Sequence, residues 1–446
     1  MSPFFISRRD FLRSSAIVSA GAVLPAWFEA QAADAPALPR SANDRPAIAL
    51  IGCGGMGRGD AKNASRLGDV VALCDVDESH LDAAEKQHPG AKRYRDFREC
   101  VRHAGLDVVI NGTPDHWHTL INLAALKAGK DLYSEKPLTL TIDEGKHLVK
   151  AVRKSGRVLQ TGSQQRSDKR FRLAVELVRN GRLGKLKHIT TSLPMGQHGG
   201  PFTATDVPAG FNWNFWQGQT ASQPYVKERG HGSFRYWWDY SAGTLTDWGA
   251  HHNDIALWAT GLPLGEAGPV AIEGHGLRDP VPGGFSFPST FFVSYRYANG
   301  VTHTCRTVQT EGPSGSVLDP KTPPAQMPNG VLFEGNDGWI FVTRGRIEAS
   351  DPAILQDPLT NKTWTAYASD DHMGNFFECV RTRKAPVAEA EIGHRSVSVC
   401  HLGAIAIRLG RELHWNPVKE QFVGDREANG WLAREQRKGF DYAMAG

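Results

Sequence analysis

The stretch Ala47-Ile-Ala-Leu-Ile-Gly-Cys-Gly-Gly-Met-Gly57, with the helical run that follows it to Leu67 and the segment Val70-Val-Ala-Leu-Cys-Asp75, decides the fold. Ala47 to Ile51 is a short continuous apolar run, the signature of a strand buried on both faces. Gly52, Gly54 and Gly57 fit G-x-G-x-x-G. The first glycine permits a tight turn, the second lets backbone approach a pyrophosphate, and the third lets helix pack on strand. The helix then points free N–H groups and the positive end of its dipole at that phosphate. Val70 to Cys74 reads as a second buried strand, closed by Asp75 eighteen residues after Gly57. A carboxylate there accepts bonds from both adenosine ribose hydroxyls and repels a 2′-phosphate, so NAD is expected rather than NADP. A lone glycine motif is weak. Strand, glycines, helix, strand and acid in order within one βαβ length are specific, and Gly55 and Met56 join the cofactor set as members of the same turn.

Outward from this unit the alternation continues. Strands are expected at 91–94, 107–111, 131–134 and 158–161, with helices at 79–88, 97–103, 116–128 and 141–154 between them. The carboxyl ends of the parallel strands share one edge, where ligands bind in open α/β sheets. Thr113, Pro114, His118, Glu135, Lys136 and Gln164 fall at or near that edge and are expected cofactor contacts. After Gln165 the rhythm changes. A helix is expected at 168–179, strands at 186–192, 291–297, 301–306, 331–334, 339–343 and 346–348, and helices at 245–260, 372–381 and 394–411. The fold class is therefore α/β: a Rossmann dinucleotide-binding domain (47–165), then an α+β domain with a largely antiparallel open sheet (166–420), then a tail (421–446). Residues 194–243 are rich in Gly, Pro and Trp and too long for a plain connection, which marks them as functional, and 312–330 is a second long Pro/Gly loop.

A chain of 446 residues with 40% hydrophobic and 22% charged residues has ample core for two domains. The net charge of +4 is too small and too dispersed for a nucleic-acid partner. Six Cys form no C-x-x-C pair and read as buried free thiols, with neither a disulfide framework nor a zinc site. Of twelve Trp, six lie between Trp213 and Trp258, where aromatic density is either core or a stacking surface for sugars.

At the N-terminus, Ser7-Arg8-Arg9-Asp10-Phe11-Leu12 precedes a small-residue apolar run, and Ala30-Gln31-Ala32 supplies an A-x-A site. The pattern resembles a twin-arginine (Tat) export signal of residues 1–32, cleaved before Ala33 and followed by a flexible leader, 33–46. The apolar run between Arg13 and Pro25 has eleven residues, and a membrane span needs about 20, so no span is expected. Export of a folded protein to the periplasm suits a cofactor acquired in the cytoplasm and held tightly.

The chemistry-bearing residues are Lys136, Asp247 and His251. An ammonium at a Rossmann strand end can bind a substrate hydroxyl and stabilise developing alkoxide. Asp247 and His251 lie four apart, on one face if the segment is helical. A neutral imidazole can take the hydroxyl proton while a carboxylate one turn away fixes its tautomer. Asp247, His251, His252 and Asp254 could instead be read as metal ligands, but adjacent histidines point apart on a helix and no metal is expected. Arg166, Trp213, Trp237 and His252 are candidate substrate contacts, packing being the alternative role for each.

Together Gly52–Gly57, Asp75, Thr113-Pro-Asp-His-Trp-His118, Glu135-Lys-Pro137 and Asp247-Trp-Gly-Ala-His251 resemble the Gfo/Idh/MocA oxidoreductase family over roughly 46–420. The resemblance implies an NAD(P)-binding Rossmann domain, a C-terminal domain with substrate contacts and an oligomer-forming sheet face, and a sugar or polyol substrate. It places the family's catalytic lysine, aspartate and histidine on Lys136, Asp247 and His251, and a cis peptide at Lys136–Pro137. It implies a homo-oligomer, dimer or tetramer. The Tat signal is similar to that of the family's glucose–fructose oxidoreductase branch, the histidine to its polyol dehydrogenases. Two other readings are a glycoside-cleaving enzyme with a closed redox cycle and a non-catalytic sugar-binding protein; an intact Lys136, Asp247 and His251 set argues against the last.

Overall fold

The structure is a computed structural model that describes residues 24–29, 45–307 and 327–445. The twin-arginine motif, the cleavage site before Ala33, nearly all of the leader and most of the 312–330 loop lie outside the described residues.

Six parallel strands form the first sheet: β1 (Ala47–Ile51), β2 (Asp69–Cys74), β3 (Lys92–Tyr94), β4 (Val108–Asn111), β5 (Asp131–Ser134) and β6 (Leu159–Thr161). Their order is β3-β2-β1-β4-β5-β6. Because β1 pairs with both β2 and β4, the order reverses there and a crevice opens at the carboxyl ends. Separate apolar clusters pack on the two faces of the sheet, which is why its central strands read as continuous apolar runs. Every strand lies within a residue or so of its expected place.

The second sheet has nine strands: β7 (Leu186–Leu193), β8 (Pro269–Gly276), β9 (Phe291–Tyr297), β10 (Thr302–Thr307), β11 (Gly330–Gly335), β12 (Trp339–Thr343), β13 (Arg346–Ala349), β14 (Leu413–Asn416) and β15 (Gln421–Phe422). Only β7 and β10 pair in parallel; the remaining pairs are antiparallel. Buried and accessible residues alternate along β9 and β10, so one face packs on helices 169–179, 249–259 and 390–409, while along β11 and β12 a second cluster of Met327, Leu332, Trp339 and Phe341 is buried apart from that core. Strands β8, β14 and β15 have no counterpart in the sequence reading. β8 begins at Pro269 and carries Gly274 and Gly276, residues that mask a strand pattern. The expected tail is corrected too: Gln421–Phe422 is an edge strand, and the chain beyond it returns to the Rossmann half, where Tyr442 rests 4.9 Å from the His147 ring.

The expected helix 245–260 is two helices, Gly243–Asp247 and Gly249–Ala259, meeting at Trp248. Residues 194–243 hold only short helical turns, built around an aromatic core that includes Phe211, Trp213, Trp216 and Tyr240. Upstream, Phe28 of the turn Ala26–Glu29 is 1% exposed in the core of the second domain, with Trp27 donating to Leu355 O at 3.3 Å and Glu29 pairing with Lys169 at 2.7 Å. All six cysteines are buried and free. Among the described residues no helix is long and apolar enough to cross a membrane.

Candidate active site

The glycine turn has the shape that its sequence predicts. Gly52 adopts φ +88°, and a Cβ there would stand 2.5 Å from Thr113 N. A Cβ on Gly57 would stand 2.0 Å from Gly52 O, so helix and strand close on each other only because it is absent. On Gly54 a Cβ would meet nothing nearer than His80 Cε1 at 3.9 Å, which leaves room in front of the turn. The helix Gly55–Ala64 starts with no side-chain cap and no acid in its first turn, so its leading N–H groups are free for an anion. Asp75 is fixed by Cys53 N (2.7 Å to Oδ2) and Asp77 N (2.9 Å to Oδ1), and both it and the turn border one cleft. Arg95 also borders this cleft, yet it is held by Glu78 and by Val76 O and Gly210 O, so it is engaged rather than waiting for a 2′-phosphate. These features fit NAD.

Behind Arg235, which borders the cleft, Lys136 follows β5, and its peptide to Pro137 is cis, as the resemblance implied. Its ammonium lies 2.5 Å from Asp247 Oδ1 and 3.3 Å from Asp247 O. Arg235 Nε donates to the same carboxylate oxygen at 3.1 Å. Burial would raise the Asp247 pKa, but Lys136 and Arg235 outweigh it and hold the carboxyl well below its usual range. His251 stands close by, 5% exposed, with no hydrogen-bond partner on either ring nitrogen among the described residues. Burial, and then the Lys136 charge, push its pKa well down, so the ring is neutral. The expected link between Asp247 and His251 is corrected: the carboxylate turns to Lys136 and Arg235, so it orients the lysine and not the imidazole.

Other site residues divide. Gly52, Gly54, Gly55, Asp75, Thr113 and Pro114 border the cleft. Met56 is 51% exposed at the helix start. His118 is a strut rather than a cleft residue: its ring nitrogens approach Pro137 O at 2.7 Å and Thr113 O at 2.8 Å, and burial lowers its pKa to about 4. A neutral ring has one N–H, so it donates to one of the two carbonyls. Gln164 donates to Glu135 Oε1 at 2.9 Å, and Glu135 Oε2 accepts from Lys136 N at 3.3 Å, so both support the lysine from behind.

The four expected substrate contacts are corrected. Arg166 makes a two-pronged pair with Asp254 (2.7 and 2.8 Å) and lies 4.5 Å from the Trp258 ring. His252 is fully buried beside Trp248 and bonded to Asn329 Oδ1 at 2.9 Å. Trp213 and Trp237 donate to Gln223 O and Glu228 O and are core residues of the insertion. Asp247, His252 and Asp254 thus serve different partners, which leaves no common metal position.

Sequence reading passed over Asp115, Arg235, His80 and His231. Asp115 accepts from Ser241 Oγ at 2.5 Å and faces the charges of Arg235 and Lys136; burial pushes its pKa up to about 6. Its place in the first turn of helix 115–127, directly after Thr113-Pro114, was a usable signal. Arg235 and His231 had none, because their position depends on how the insertion folds.

Residues 47–163 match the profile described as "Oxidoreductase family, NAD-binding Rossmann fold", and residues 196–282 and 329–442 match "Oxidoreductase family, C-terminal alpha/beta domain". The myo-inositol 2-dehydrogenase of Thermotoga maritima is 30% identical over 140 residues, 31% of this chain and 42% of its own length. A glycosyl hydrolase family 109 protein of Solibacter usitatus is 34% identical over 156 residues, 32% of this chain and 35% of its own. The chain thus matches less than half the length of these curated relatives. Aldose-aldose oxidoreductase from Caulobacter crescentus, solved with glycerol, superposes with a TM-score of 0.60 at 19% identity, covering 83% of this chain and 99% of that one, and shares the fold.

Proposed function

Because the chain belongs to the Gfo/Idh/MocA oxidoreductase family, whose two domain profiles together cover more than half of it, we propose that it oxidises a secondary hydroxyl of a sugar or polyol, or reduces the corresponding ketone. The carrying observation is the Lys136–Asp247 pair at the carboxyl edge of the Rossmann sheet, with a neutral His251 beside it that has no hydrogen-bond partner among the described residues. When bound, the nicotinamide ring supplies the hydride acceptor. The Lys136 ammonium, kept in place by Asp247, donates to the substrate oxygen and stabilises negative charge as it develops. His251 accepts the hydroxyl proton. Arg235 keeps Asp247 ionised, and the Glu135–Gln164 contact fixes the backbone that aims the lysine. The test is a panel of sugars and polyols with NAD-loaded protein, read by mass spectrometry. One compound losing two hydrogens for each cofactor reduced supports the reading; no compound losing hydrogen refutes it.

The Solibacter relative's name favours a second reading, in which oxidation is followed by elimination of an aglycone and re-reduction. Aglycone release without net cofactor reduction selects it. The protein is further read as exported by the Tat route with its cofactor already held, and as a dimer or tetramer. Cleavage before Ala33 would withdraw Phe28 from the second domain, so N-terminal sequencing of protein recovered from the periplasm tests both the route and the cleavage site. Light scattering on that protein tests the assembly.

A further inference from the structure

The aromatic insertion leaves the second domain and reaches back to the acid loop that follows β2. Asn212 N donates to Val76 O at 2.9 Å, and Glu78 N donates to Gly210 O at 3.1 Å. Between them Asp77 and Phe211 form an antiparallel bridge. Arg95 Nη2 ties the two sides together, donating to Val76 O (2.9 Å) and Gly210 O (3.0 Å). This small ladder begins one residue past Asp75, the acid of the dinucleotide fingerprint.

The insertion contributes Phe215, Trp216, His231, Phe234 and Arg235 to the lining of the cleft that the glycine turn also borders. His231 stands at the Asp75 end of this lining, its side chain 44% exposed. Its ring lies 4.6 Å from that of His80 and 5.2 Å from that of Phe211, and its Nε2 is 3.3 Å from Asp77 Oδ2. His80 in turn lies 3.4 Å from Asp75 Oδ2. The backbone of His231 is left-handed, φ +46°, a conformation that a non-glycine residue adopts at a cost and that surroundings must impose.

The insertion is anchored on its far side. His116 Nε2 and Trp117 Nε1 both contact Trp216 O at 2.8 Å. From the C-terminal segment, Arg437 donates to Gln219 O and Gly218 O, each at 2.9 Å, and to Asn214 Oδ1 at 2.7 Å. The insertion is therefore a built part of the wall rather than a loop lying over it.

We infer that residues 210–235 complete the dinucleotide site from the second domain, with His231 facing the adenosine half, and that the 76–78/210–212 ladder holds the cofactor against exchange. This rests on the NAD reading above. Because the ladder fixes the insertion against the acid loop, the insertion acts on the release rate more than on capture.

The experiment uses the full chain loaded with NADH, whose release is followed by the loss of energy transfer from tryptophan during a chase with excess NAD. His231→Gly removes the ring and relieves the left-handed backbone; Arg95→Ala cuts the tie across the ladder. Each is expected to speed release by about tenfold or more, the scale of one lost aromatic contact to a base. His231→Gly is expected to keep or raise the melting temperature of cofactor-free protein, which separates lost retention from lost folding. NADH is expected to protect the 205–235 segment from proteolysis in the wild type. Asp77, His80 and His231 could together face a metal ion; a chelator is expected to leave the release rate unchanged, and chelator-accelerated release would replace the ladder by a metal bridge and overturn the inference. NADH bound by both variants and released at the wild-type rate overturns it while leaving the NAD reading intact. A wild-type protein that takes up no NADH overturns both.

Discussion

Asp247 and Asp254 lie on adjoining helices, and each holds a cation delivered by the end of a Rossmann strand. Asp247 holds Lys136 at 2.5 Å, after β5; Asp254 holds Arg166 at 2.7 Å, after β6. Their side chains are 18% and 1% exposed. Asp254 is saturated, with both oxygens taken by Arg166 and a further bond from Ser396 Oγ. Its planar, two-pronged geometry is that of a structural clamp between the halves of the chain. Asp247 instead holds, with Arg235, an ammonium that keeps one donor to spare, beside an imidazole with no partner among the described residues. Ion pairing alone does not distinguish the two. Unused hydrogen-bonding capacity at the carboxyl edge of the Rossmann sheet does.

The largest effects should separate the two pairs cleanly. Lys136→Ala is expected to lower kcat by about a thousandfold with bound NAD retained and little change in melting temperature, measured by steady-state kinetics and thermal unfolding. Arg166→Ala leaves a carboxylate buried without its cation and is expected to cost about 3–5 kcal/mol in denaturant unfolding, while the folded fraction keeps its KM. A kcat loss in Arg166→Ala as large as that of Lys136→Ala would break the comparison.

The adjacent histidines repeat the contrast on a smaller scale. His251→Asn is expected to lower kcat by about a hundredfold. His252→Ala removes a ring packed on Trp248 and leaves Asn329 unpaired, and is expected to cost about 2 kcal/mol of stability with kcat preserved. Interchanged outcomes would move the base from one residue to its neighbour.

Fold and site were legible to different depths. The Rossmann strands could be read because burial on both faces writes continuous apolar runs, and Gly52 and Gly57 because their turns tolerate no side chain. Lys136 and Asp247 could be read because each sits in a short local pattern. His251 and His252 are identical as letters, and only the contacts of Phe171 and Asn329 with His252 set their roles apart. Trp213 and Trp237 are of a kind that serves a sugar platform or a core equally well, and here they build the core of the insertion. Arg235 and His231 reach the cleft through that core, a long-range result with no local signal.

The smallest effect is in pH. Burial lowers the pKa of His116, His252 and His401 to about 3, 4 and 3. Unfolded, they titrate near about 6.5, so below that pH the unfolded chain binds more protons and stability falls as pH drops from about 6.5 toward 4. Asp115, pushed up to about 6, opposes this over part of the window, because there the folded state holds a proton that the unfolded chain has released. His118, His303 and His372 are lowered in the same way, so six histidines outnumber the four buried carboxyls Asp60, Asp115, Glu135 and Glu144 that burial raises, and urea midpoints should fall from neutral to mildly acidic pH. His252→Ala should flatten that fall. His251, also kept neutral by burial, should place no acid limb of kcat/KM near the ordinary histidine range.

The most direct measurement is a single turnover. NAD-loaded wild type, Lys136→Ala and Arg166→Ala are each mixed with the best compound of the panel, and the near-ultraviolet absorbance of reduced nicotinamide is followed. The account predicts a rapid rise in wild type and in folded Arg166→Ala, and a rise about a thousandfold slower in Lys136→Ala at equal bound NAD. Equal rates in wild type and Lys136→Ala would contradict it and take the chemistry away from the Lys136–Asp247 pair.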